Sequence, residues 1–256
     1  MKRCPLFRLG LAGLASRGSV WLLLGGAVVF TWLAPLVAPW EENPQILQPA
    51  RAQAVWGYAW LALLTWLPFQ AAALGHRLRT EGMLEHEHAA GTGRLSLWLQ
   101  LGGAILVWLV ALALLAALLS GIWCLPARAG EAGLWLQLVG QYTALYLLCA
   151  VPLVLLAVAL GTRTAEVIAF LVPTGLLVTG LFGAAWLAPL LGGSSSELLQ
   201  SIWLAVPHYH LADLTPRLVF KMGPLASADF LTAAAVLALQ GLALSLTGLC
   251  LFRTRS

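Results

Sequence analysis

Two clusters of residues have the types and spacing to do chemistry. The first is Glu85–His86–Glu87–His88, four potential metal ligands inside the polar run from His76 to Arg94. Neighbouring residues on a helix diverge by about 100°, so only Glu81, Glu85 and His88 can share a face, and three mixed ligands at that spacing would hold a metal weakly. A solvated surface that meets a partner is the favoured reading, and no metal site is expected there. The second cluster is His208–Tyr209–His210, which follows Pro207. On an extended backbone both imidazoles project to one side, where copper or zinc could use them. No third ligand is evident. With Trp203 upstream, the stretch reads instead as an interfacial patch for an outer-side partner or ligand.

Little else in the chain suggests catalysis. It has no GxxxxGK[ST] phosphate loop, no GxSxG elbow, no HExxH helix and no GxGxxG turn, so it cannot hydrolyse nucleotide alone and no enzymatic activity is expected. Cys4, Cys124, Cys149 and Cys250 have neither CxxC nor zinc spacing, and no disulfide framework is implied. Glu166 is the only acid within an apolar run, at a position where it stabilises the start of a helix through the dipole. Gln100, Gln137, Gln141 and Gln240 read as interhelical glue, worth on the order of 1 kcal/mol each.

The elements that carry these residues belong to a membrane. Hydrophobic residues make up 61% of the 256 and charged ones 9%, against roughly a quarter charged in a soluble domain. Six runs approach the roughly 20 residues needed to span a bilayer: Val20–Ala38, Ala54–Gly75, Leu97–Ser120, Leu136–Leu160, Ala165–Leu191 and Phe230–Phe252. They lack the alternation of barrel strands, which predicts an all-α, polytopic, six-helix bundle forming one domain over residues 1–256. With a cytoplasmic N-terminus, Lys2, Arg3, Arg8, Arg17, Arg77, Arg79, Arg94, Arg163, Arg253 and Arg255 fall inside. Only Arg51, Arg128, Arg217 and Lys221 fall outside. The asymmetry predicts that both termini are cytoplasmic. The net charge of +4 then reflects topology and calls for no nucleic-acid partner.

The remaining segments are predicted from local pattern. Residues 1–19 form an interfacial segment with Phe7, Leu11 and Leu14 close on one face, and a cleaved signal peptide is not expected. Residues 76–96 form the cytoplasmic connection between spans two and three. Residues 192–229 form the outer segment. There Leu198, Leu199, Ile202, Trp203 and Val206 recur at helical spacing, predicting a lateral helix, and Thr215–Pro216 caps and begins a second one through Phe220. Ser227 and Asp229 begin the sixth span. Pro68, Pro152 and Pro173 should kink or open their helices, and Gly241 with Ser245 permits close helix approach.

Arg77–Leu78–Arg79–Thr80–Glu81–Gly82–Met83–Leu84, then Gly91–Thr92–Gly93–Arg94 before span three, resemble the acidic and glycine pattern of a cytoplasmic helix in one class of membrane proteins. That class is the permease subunits of ABC type-2 exporters. The stretch from Pro207–His208–Tyr209–His210 through Asp229 and the tail Phe252–Arg253–Thr254–Arg255 are similar to the family's outer end and basic terminus. The resemblance implies six spans, a coupling helix between spans two and three, and a separate cytoplasmic ATPase subunit that holds ATP and Mg. It also implies pairing with a second copy or a homologous permease, and export or mechanical work driven by ATP. In the coupling role Arg77, Arg79, Glu81, Glu85 and Glu87 would supply polar contacts, Gly82 the pattern's glycine, and Met83 and Leu84 the apolar anchor. The alternative is a non-transporting membrane scaffold or assembly factor for an outer-side partner protein.

Overall fold

The computed structural model describes residues 4–37, 44–126, 128–191, 197, 201 and 206–254. Among them every regular element is helical. The order is α1 (Pro5–Ser16), α2 (Ser19–Val37), α3 (Pro44–Leu64), α4 (Trp66–Thr80), α5 (Met83–Ala89), α6 (Arg94–Ile122), α7 (Ala129–Gly161), α8 (Glu166–Leu191), a 3-10 turn (Tyr209–Ala212), α9 (Thr215–Val219) and α10 (Ser227–Leu251).

Pro5 begins α1 because its missing N–H is not needed in a first turn. Gly18 ends the run in a left-handed conformation at φ 73°, and α2 leaves at 60° to α1. The buried stripe of α1 is Leu6, Gly10 and Leu14, at successive i, i+4 positions. This corrects the expected face of Phe7, Leu11 and Leu14. The reason is Gly10: without a side chain it lets α1 seat directly on Ala104 of α6 and Leu74 of α4, while Phe7 lies to one side over Gly103.

The expected second span, Ala54–Gly75, is divided between α3 and α4 at Thr65. Pro68 explains the break. It has no N–H for the carbonyl of Leu64 and its ring crowds that turn, so the helix opens, and the freed Leu64 carbonyl accepts a hydrogen bond from the Thr174 hydroxyl of α8 at 3.2 Å. Irregular backbone inside a helical bundle is tolerated when neighbouring helices supply the missing bonds.

Helices α6, α7, α8 and α10 are each long and apolar enough to cross a membrane, and the bent α1–α2 pair makes a fifth candidate. Several apolar helices of this kind are what a multi-pass membrane protein requires. Neither half of the divided run qualifies by itself, since α3 carries Gln45, Gln48, Arg51 and Gln53 and α4 has only 15 residues.

Helix α7 is the hub, in contact with α4, α6, α8 and α10. Its apolar stretch is 78% buried, against 17% for α10, so α10 presents most of its surface outward. Between α4 and α7 the backbones nearly touch: Gly75 faces the Val158 carbonyl, and Gly161 faces that of Ala72. Lipid offers no hydrophobic drive for helices to associate, so close packing and hydrogen bonds must supply it. Tryptophan N–H groups contribute, with Trp98 donating to the Leu155 carbonyl at 3.1 Å and Trp135 to that of Ser120 at 2.9 Å.

Candidate functional site

At one end of the bundle the chain descends α4, turns and enters α6. Arg77 and Arg79 occupy the last turn of α4, and Gly82, at φ 70°, supplies the left-handed residue that separates α4 from α5. The coupling segment expected over 76–96 is therefore three pieces, of which only Met83–Ala89 is a helix of its own. Leu84 is the root of that helix, buried to 1% among core residues, with Met83 partly covered beside it. The expectation that Leu84 anchors a partner is corrected here: its apolar surface is used within the chain. Glu81, Glu85, His86 and His88 are exposed and Glu87 half-buried, which leaves an acidic, histidine-bearing outer face on α5.

The two arginines differ. The Arg77 guanidinium stands 4.0 Å from the Glu81 carboxylate, one helical turn on, and both are partly exposed, a geometry worth little by itself. Arg79 instead reaches across the bundle and donates to the Thr162 carbonyl at the end of α7, 3.3 Å away. The Thr162 hydroxyl donates to the Ala159 carbonyl and accepts the Arg253 backbone N–H at 3.0 Å. Arg94 donates to the carbonyls of Leu249 and Cys250 at 2.6 and 2.9 Å, so the start of α6 caps the end of α10. The ends of α4, α6, α7 and α10 are thereby joined at the base beneath α5.

The other polar centre lies towards the opposite end, and it points inward. Tyr209 is 1% exposed and packs on Gly180 of α8, where any side chain would collide with its ring. The His208 backbone N–H donates to the Gln240 side chain at 3.1 Å, and the same amide meets the His208 ring at 3.2 Å. Gln240 sits near the middle of the 25-residue α10, so residues 206–212 dip back into the bundle. Tyr209 is thereby taken into the core, while His208 and His210 stay half-buried. The two imidazoles are close, 5.7 Å between ring centres, but no group of three metal-ligating side chains occurs among the described residues, either here or around Glu81, Glu85 and His88. Burial, and then neighbouring His208, lower the pKa of His210 below its ordinary 6.5, while a hydrogen bond with the Gly180 backbone opposes them. Trp203, and with it most of the expected lateral helix, lies outside the described residues.

The returning half of this segment is fastened around two groups that sequence reasoning did not single out, Tyr142 and Trp60. The Tyr142 hydroxyl of α7 donates to the Asp213 carboxylate at 2.8 Å and accepts from the Trp60 indole of α3 at 2.8 Å. With its one proton committed, its 2.6 Å contact with the Thr215 hydroxyl must be a bond that Thr215 donates, which fills the oxygen's capacity of one donor and two acceptors. Asp213 also accepts the Thr215 backbone N–H at 3.0 Å. The expected Thr215 cap is not formed: Leu214 holds the N-cap position of α9 without a side-chain cap bond, Asp213 just before it takes the first helical N–H, and the Thr215 hydroxyl is engaged by Tyr142. Gln141, on the next residue of α7, holds both the N–H and the carbonyl of Leu225 at 2.8 and 3.0 Å. The readable signals were an Asp two residues before Thr-Pro and the adjacent Gln141–Tyr142 pair within an apolar run. Gln141 and Gln240 do act as glue, between helix and re-entrant segment.

No protein-family profile matches this chain, and comparison with curated proteins and with solved structures also gives no match.

Proposed function

We propose that this chain is the permease subunit of an ATP-driven transporter of the ABC type-2 exporter class. In this reading it spans a bacterial inner membrane six times, with the second crossing made by the latter part of α3 and by α4, and with both termini in the cytoplasm. It pairs with a second copy or a homologous permease, and a separate ATPase subunit holds ATP and Mg.

One observation carries the proposal: α5, a seven-residue helix, is rooted by buried Leu84 and turns Glu85 outward, with Glu81 exposed beside it at the end of α4. It sits beside the Arg79–Thr162 bond to the most buried helix. A short rigid helix so placed can pass the movement of a docked ATPase into the bundle as displacement of α4 and α7. The docking contacts proposed are Glu81, Glu85, Glu87 and the exposed part of Met83, with Arg77 at the margin. Arg79, Gly82 and Leu84 hold the helix in place.

Reversing the three acids together, Glu81→Lys, Glu85→Lys and Glu87→Lys, should abolish copurification with an ATPase encoded by a neighbouring reading frame, and with it stimulation of ATP hydrolysis. Unchanged complex formation and stimulation would refute the coupling role.

A further inference from the structure

A cleft of about 330 Å³ opens between α1, α4 and the start of α8, lined by Gly13, Leu14 and Arg17, by Phe69 through Thr80 of α4, and by Glu166. Its volume is at the lower end of the roughly 300–1,000 Å³ typical of small-molecule sites.

Its chemistry is divided. The Arg77 guanidinium reaches over Gly13, where a side-chain carbon would come within 3.5 Å of it, and Arg17 stands one turn along the same face of α1. His76 lines the cleft as well, with its Nδ1 buried and without a hydrogen-bond partner among the described residues. Leu14, Phe69, Ala73 and Leu74 supply apolar walls. Phe69, which lines the cleft, and Val167 and Ile168, which follow Glu166 in α8, are exposed, an outward surface suited to hydrocarbon.

We propose that this cleft seats the phosphate headgroup of an anionic phospholipid, with Arg17 and Arg77 gripping the phosphate and the acyl chains lying along Phe69, Val167 and Ile168. Guanidinium groups form paired, charge-assisted bonds to phosphate oxygens, and basic pockets between helices on the cytoplasmic side suit anionic headgroups. The neighbouring apolar surface favours a phosphate carried on lipid over free phosphate. The proposal requires only that the chain reside in a membrane, so it stands or falls separately from the ATPase reading.

The test uses the full chain in detergent, titrated with phosphatidylglycerol, with phosphatidylcholine and with inorganic phosphate, and read by native mass spectrometry. Phosphatidylglycerol should be retained in preference to phosphatidylcholine. The double change Arg17→Gln with Arg77→Gln should weaken that retention by about tenfold or more. Ala73→Phe should weaken it similarly by filling the cleft while leaving its charge intact, and Arg17→Gln alone, at an exposed side chain, gives a reading that does not depend on Arg77. Equal retention of the two lipids, indifference to all three variants, or displacement of phosphatidylglycerol by an equal concentration of inorganic phosphate would each overturn the proposal.

Discussion

Tyr142 concentrates the energetics of the re-entrant segment in one oxygen atom. Tyr142→Phe would leave the Trp60 indole N–H and one bond of the Asp213 carboxylate unmet, at a cost of about 1–3 kcal/mol for each buried group left unsatisfied. We expect a lower thermal midpoint in detergent and faster proteolysis confined to residues 206–226. His210 gives the same segment a dependence on pH. Its depressed folded-state pKa means that the unfolded or undocked form binds the proton more readily. Its contribution is therefore complete above about pH 6.5, declines as the pH falls from there towards the folded value, and levels off below it. Amide protection across residues 206–214, corrected for the intrinsic exchange rate, should fall from about pH 7.5 to about pH 5.5, and His210→Asn should flatten that change. Cys124, just beyond α6, is a contrasting case. Burial pushes its thiol up to about 12 although Arg51 pulls the other way, so it should react slowly with alkylating reagents at neutral pH.

Among the elements, α4 and α7 form the tightest joint, and its glycines are required by the absence of space. Gly75→Val should prevent accumulation of folded protein, because its side chain would enter the Val158 carbonyl. Gly140→Ala, on the same α7 but facing open space, should be neutral or stabilising by roughly 0.5–1 kcal/mol. Analysis by size-exclusion chromatography separates the two outcomes. The opening between α3 and α4 rests on another pairing. Thr174→Val should cost on the order of 1 kcal/mol, and less when combined with Pro68→Ala, whose restored N–H can serve the Leu64 carbonyl. A double-mutant cycle of thermal stabilities would measure that coupling. Pro68 was visible in the sequence as a source of irregularity. That Thr174 would satisfy the opened turn was not, since it lies 106 residues further on and only the packing of α8 brings it there.

For the whole molecule, composition made the helical, membrane-suited class legible, because long apolar runs admit few alternatives. The starts and ends of α2, α8 and α10 fall within a few residues of the pattern-based boundaries, whereas α3 begins at Pro44, ahead of its apolar stretch. What stayed illegible was direction. His208, Tyr209 and His210 are polar enough to suggest an outer surface, yet packing on Gly180 buries Tyr209, and half-buried Gln240 holds His208. Leu84 suggested a partner contact, yet the turn at Gly82 aims it at its own core. In each case a residue's type was correctly read, and its destination depended on contacts distant in the chain.

The junction at Thr162 has a practical consequence for the stretch after α10. Because its hydroxyl receives the Arg253 amide while its carbonyl receives Arg79, Phe252 and Arg253 act as a clasp over the base of the bundle. A chain cut after Leu251 would lose both that amide and buried Phe252, and Arg79 would then be the remaining bond across Thr162. A label inserted after Arg253 therefore needs a spacer, or it will pull on the joint at Thr162.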